Sequence, residues 1–115
     1  MTRSRAHPQI LEFVRLFNRE EFFDAHEVLE DLWQEYSGPD RDLYQGLIQV
    51  AVALEHSSRG NPKGARGVLE SARRRLAPYL PGASGFDLED LLKETARFLD
   101  DEGGKPPRLP DPTGE

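Results

Sequence analysis

Residues 43–56, LYQGLIQVAVALEH, decide the architecture. At about 100° per residue, Leu43, Tyr44, Leu47, Ile48, Val50, Ala51, Val52 and Leu54 cover most of a helical circumference. A helix that is apolar nearly all round is surrounded by other helices rather than laid on a surface. Its polar exceptions share one side, because Gln45, Gln49 and His56 fall within about 40° of one another. The stretch predicts a buried central helix carrying one narrow polar stripe.

The flanking sequence sets this helix third of five. Upstream, Ser37-Gly38-Pro39 stops a second helix that starts near Glu20 and runs to about Tyr36. Before it, Pro8 suits a first helical turn, and Ile10, Phe13, Val14 and Phe17 recur at helical spacing as far as Asn18. The third helix spans about Asp40 to Arg59. Gly60 ends it, Asn61 caps the next, and Pro62 occupies that helix's first turn. The fourth helix carries Ala65, Val68, Leu69, Ala72 and Leu76 on one face and ends near Pro78. Residues 81–85 form a loop, and Asp87 with Asp90 starts a fifth helix holding Leu88, Leu91, Leu92, Ala96, Phe98 and Leu99. No segment sustains period-two alternation, so no strands are predicted. The expected fold class is all-α: one domain over residues 1–102, a five-helix orthogonal or antiparallel bundle with the third helix central. Residues 103–115 contain four prolines, three glycines and one isolated leucine, and read as a disordered or loosely draped tail.

Composition narrows the function classes. A chain of 115 residues supports one core. With no cysteine, disulfides, zinc–thiolate sites and thiol catalysis are excluded, and a cytoplasmic setting is expected. The basic start, Met1-Thr2-Arg3-Ser4-Arg5, is followed by no long apolar run, so no signal peptide is expected. The longest near-apolar stretch, residues 46–54, is too short to cross a bilayer. A formal net charge of −6 argues against nucleic acid, whose binding runs on lysine and arginine. The run Arg73-Arg74-Arg75 spreads around its helix and reads as a solvated face. His7, ahead of Pro8, reads as a solvated terminal residue.

The candidate site combines the polar stripe with the second helix. There, Phe22, Ala25, Leu29, Leu32, Trp33 and Tyr36 define an apolar arc that encloses His26, with Glu30 one turn on at its border. Trp33, Tyr36, Phe22 and Phe23 are expected in the core. If helices two and three form an antiparallel hairpin, His26 and Glu30 can face Gln45, Gln49 and His56. Three chemistries compete for this set. A mutually satisfied network would fix helix register, since an unpaired buried polar group costs about 1–3 kcal/mol. A polar pocket would bind a small molecule or a partner's side chain. A metal site would start from His26-Glu27-x-x-Glu30, which departs from the zinc-hydrolase pattern His-Glu-x-x-His at its last ligand. Gln49 and His56 lie about 10 Å apart along the helix axis, and neutral glutamines are poor transition-metal ligands. No metal or other cofactor is expected, and no catalytic residue is assigned because no nucleophile stands beside His26. Gly46, Gly64 and Gly67 each cost about 1 kcal/mol in a helix interior, and close helix approach is the expected reason for them.

Glu21-Phe22-Phe23-Asp24-Ala25-His26-Glu27-Val28-Leu29-Glu30-Asp31-Leu32-Trp33, then Tyr44-Gln45-Gly46-Leu47-Ile48-Gln49-Val50-Ala51-Val52-Ala53-Leu54-Glu55-His56, then Gly60-Asn61-x-x-Gly64-Ala65, make a two-part motif with an appendix. Over residues 17–81 the chain resembles a small prokaryotic all-helical family known only as domain of unknown function 309. The resemblance implies a helical bundle with the polar cluster as hallmark, and no established activity. It also implies a glycine ahead of the Glu-Phe-Phe segment, where this chain has Glu20. The functional expectation is a non-enzymatic binding or interaction module, with His26, Glu30, Gln45, Gln49 and His56 as its ligand-binding residues. Its partner would be a protein or a small molecule, with no nucleic acid and no membrane; self-association is left open. The alternative is a metal-dependent hydrolase-like enzyme using His26 and Glu30.

Overall fold

A computed structural model describes residues 8–100 and 104–110. The basic start with His7, residues 101–102, and residues 103 and 111–115 of the tail lie outside the described residues. Among the described residues five helices follow in order: α1 (Pro8–Asn18), α2 (Phe22–Glu35), α3 (Arg41–Ser58), α4 (Pro62–Leu76) and α5 (Leu88–Asp100). A single 3₁₀ turn, Ala77–Tyr79, extends α4.

The central position of α3 rests on its apolar arc. Leu43, Leu47, Val50 and Leu54 on its inner side are fully buried and share one core with Phe13 and Phe17 of α1 and Leu88 and Leu91 of α5. Each such side chain contributes about 1.5–3 kcal/mol on leaving water. The two neighbours in sequence flank α3. Arg41 meets Trp33 at one end of the α2–α3 seam and Arg59 meets Phe23 at the other, so the pair is antiparallel. Asp42 meets Arg75 and His56 meets Asn61, so α4 is antiparallel to α3 as well. Close approach accounts for Gly46: a Cβ there would stand 2.4 Å from the side chain of Leu76, which is itself fully buried.

Two helix ends share one geometry. The α3 terminus closes with Asn61 N–H donating to His56 O (2.9 Å) and Gly60 N–H to Ser57 O (3.0 Å), with Gly60 at φ +78°. The α1 terminus repeats this: Glu21 N–H donates to Leu16 O (2.9 Å) and Glu20 N–H to Phe17 O (2.9 Å). Both are Schellman closures, whose left-handed residue is normally glycine. At α1 that residue is Glu20, with φ +64°. Helix starts follow the sequence signals: Asn61 Oδ1 accepts from Gly64 N–H at 3.1 Å, and Asp87 Oδ1 from Asp90 N–H at 3.0 Å.

One feature differs from expectation. Residues 82–87 form a minimal antiparallel hairpin, β1 (Gly82–Ala83) with β2 (Phe86–Asp87), where no strand was predicted. Its corner residues Ser84 and Gly85 both have positive φ, the tight turn that suits two-residue hairpins. Two residues per strand are too few for alternation to register. In the Pro-rich segment, for which a draped course was one of the two expectations, Leu109 ties back to α1. Leu109 is buried, its N–H donates to Asn18 Oδ1 (2.7 Å), and Asn18 Nδ2 donates to its carbonyl (2.8 Å).

Candidate functional site

On α2, residues four apart lie on one face, and this places Glu30 beside His26. His26 Nε2 donates to Glu30 Oε1 at 2.8 Å, with the imidazole 22% and the carboxylate 40% exposed. Phe23 stands edge-on to His26, ring centroids 5.7 Å apart, and is 43% exposed rather than in the core. The expectation that Phe23 is a core residue is therefore corrected: helical spacing carries Phe22 inward and turns its neighbour out. Arg59, paired with Glu55, lies 5.9 Å from the Phe23 centroid. At the far end of the seam the Arg41 guanidinium sits 4.1 Å over Trp33, its Nε donating to Tyr36 O at 2.9 Å. Tyr36 meets Tyr44 edge-on at 5.1 Å. Burial pushes the Tyr44 phenol above its ordinary value of 10.0, with the charges of Tyr36 and Asp40 adding to the effect.

The stripe on α3 is half-buried rather than sealed, and its hydrogen bonds run to α4. Gln49 Oε1 accepts from Ser71 Oγ at 3.1 Å. His56 Nδ1 accepts from Asn61 Nδ2 at 3.2 Å, since an amide nitrogen can only donate. The side chain of Gln45 has no hydrogen-bond partner among the described residues. The five candidate residues thus divide. The structure joins His26 to Glu30 and ties Gln49 and His56 to the α4 side, and among the described residues no hydrogen bond links the two groups. The α2 side of α3 is filled instead by the aromatic and arginine contacts of Arg41, Tyr44 and Arg59.

Chemically, His26 and Glu30 offer two donors to an ion. Among the described residues no group of three His, Asp or Glu side chains gathers to complete a coordination shell. Ser71, which brings a hydroxyl to the stripe, is committed to Gln49. What the arrangement provides is an outward, half-exposed set of amides, imidazoles and a carboxylate beside one exposed aromatic ring.

Sequence reasoning missed a second feature. A cleft of about 500 Å³ opens where the two Schellman closures meet α5, lined by Glu20, Phe22, Leu54, Ser57, Pro62 and Phe98 among others. Its walls come from four helices and two turns, and no local pattern brings such residues together.

A solved structure shares this fold. A conserved hypothetical protein of Thermus thermophilus, solved by crystallography, superposes with a TM-score of 0.68 at 34% identity, covering 77% of this chain and 93% of that one. An uncharacterized protein of Aquifex aeolicus (strain VF5) is 30% identical over 95 residues, which are 81% of this chain and 28% of the relative. The uncharacterized protein YpuF of Bacillus subtilis (strain 168) is 36% identical over 81 residues, 70% of this chain and 44% of the relative. The chain thus spans less than half the length of either curated relative. The profile of DUF309, a domain of unknown function, matches residues 10–68, and the chain belongs to that family.

Proposed function

We propose that this domain is a binding module that engages its partner through the outward face of α2, α3 and α4, and that it acts in the cytosol. The observation that carries the reading is the state of the candidate side chains. They are neither sealed into a dry network nor dispersed: His26, Glu30, Gln45, Gln49 and His56 are all half-buried, and Gln45 keeps its full amide capacity among the described residues. Partly desolvated polar groups beside an exposed aromatic are what interfaces are built from. Binding is favoured over catalysis because, among the described residues, no nucleophile pairs with His26 and no third metal ligand joins it and Glu30. No helix is long and apolar enough to cross a membrane among the described residues, so a macromolecule or small molecule in water is the partner considered.

The test is nuclear magnetic resonance of the ¹⁵N-labelled chain titrated with a fragment library and with fractionated bacterial lysate. Shifts should concentrate at Phe23, His26 and the side-chain amides of Gln45 and Gln49, and should vanish in a Phe23→Ser, Gln45→Lys variant. Shifts confined to α1 and α5, or unchanged in that variant, would overturn the reading.

A further inference from the structure

The outward face of α2, α3 and α4 has opposite charge on its two edges. α2 carries five acidic residues and no lysine or arginine, whereas α4 carries five basic residues and one glutamate. Part of this charge is unspent: among the described residues Asp24 and Asp31 of α2 have no ion-pair partner, and neither does Lys63 on α4. All three are exposed. Both helices run antiparallel to α3, so they run parallel to each other on its two sides.

We infer that the partner of this face is a second copy of the chain. The inference rests on the binding reading above and names its occupant. Charge complementarity selects the symmetry. A two-fold axis parallel to α3 lays α2 of one copy along α4 of the other, acidic on basic, twice per dimer. A two-fold across α3 would stack α2 on α2 and α4 on α4, setting like charges against each other. The levels match under the first operator. Asp24 and Lys63 lie at the end marked by Arg59 and Asn61, while Asp31 and Arg74 lie near the end marked by Arg41 and Asp42. The contour agrees as well. Phe23 is exposed in the half of the face that also holds Gly67, and a Cβ built on Gly67 meets nothing within 4 Å of its own chain. The ring of one copy therefore has a bare helix surface to lie on in the other.

The test is sedimentation equilibrium of the full chain over a concentration series. The expected result is twice the mass of one chain in low salt, falling toward one chain in about 1 M salt, where screening acts within about 3 Å. Gly67→Gln fills the bare surface and suits a helix, so it should weaken self-association by about tenfold or more while keeping the helical circular dichroism. Asp31→Arg and Arg74→Asp should each be monomeric, and a mixture of the two should recover the dimer by restoring opposite charges at both contacts. A wild-type chain that is monomeric throughout the series, a Gly67→Gln variant as dimeric as wild type, or a mixture that stays monomeric would overturn the inference. A monomeric chain whose Phe23 and Gln45 resonances still respond to lysate would leave the binding reading standing and remove only the second copy as occupant.

Discussion

Replacing Glu20 with glycine should stabilise the protein, although it removes a side chain. Glu20 occupies the left-handed position of the α1 closure at φ +64°, where a Cβ crowds the neighbouring carbonyl. That strain is worth about 1–2 kcal/mol, and glycine relieves it. Glycine also gives the unfolded chain more freedom, which offsets about 0.4–1 kcal/mol. Charge nearly cancels, because Glu20 follows the negative end of α1 and precedes the positive end of α2. No polar contact is lost, since its side chain has no hydrogen-bond or ion-pair partner among the described residues. The net gain is about 0.5–1 kcal/mol, or a rise of roughly 3–6 °C in Tm for a domain of this size. Glu20→Ala separates backbone from charge: it discards the carboxylate, keeps the strain and should move Tm little. Gly60→Ala at φ +78° should lose about 1 kcal/mol, and the open space around it means the loss is conformational. Urea unfolding followed by circular dichroism measures all three. If Glu20→Ala stabilised as much as Glu20→Gly, the account from φ would fail.

Two further outcomes follow from single side chains. Asn18→Ala removes both hydrogen bonds that hold Leu109, so hydrogen exchange at the Leu109 amide should accelerate at least about tenfold, with about 1–2 kcal/mol lost in urea unfolding; unchanged protection would mean that burial alone holds the segment. For Tyr44 the folded pKa lies above the unfolded value of 10.0, so the folded state holds the proton more tightly. Its contribution is complete below pH 10.0 and is lost as pH rises through the folded value. Tyr44→Phe should therefore flatten the alkaline limb of the stability profile, and an unchanged limb would place its origin elsewhere.

Much of the fold could be read from residues whose effect is local. Gly60-Asn61-Pro62 stopped one helix and started the next within a turn, because each residue type there has one backbone conformation or one orphan amide to serve. The apolar arc of α3 likewise announced its central place, since no surface position hides so wide an arc. What stayed illegible depends on distances between elements. Leu109 reads as an isolated leucine in a proline-rich tail until Asn18, 91 residues earlier, is seen to hold its backbone. Phe23, by contrast, was legible in principle, because one step of about 100° carries it off the arc that Phe22 shares with Ala25 and Leu29.

The candidate site shows the same limit most sharply. A helical wheel ranks angles on one cylinder, and it placed Gln45, Gln49 and His56 on a common side. It could not say that this side looks out between two neighbours rather than squarely at α2. Once the α4 side takes the hydrogen bonds of Gln49 and His56, the pair His26–Glu30 is left on the opposite seam, and the two halves are linked only by the half-exposed surface between them. A site divided in this way has little use for a small ion, which needs its ligands within a few ångströms of one point. On the proposed binding reading, the breadth of the face suits a ligand equally broad, such as a protein surface.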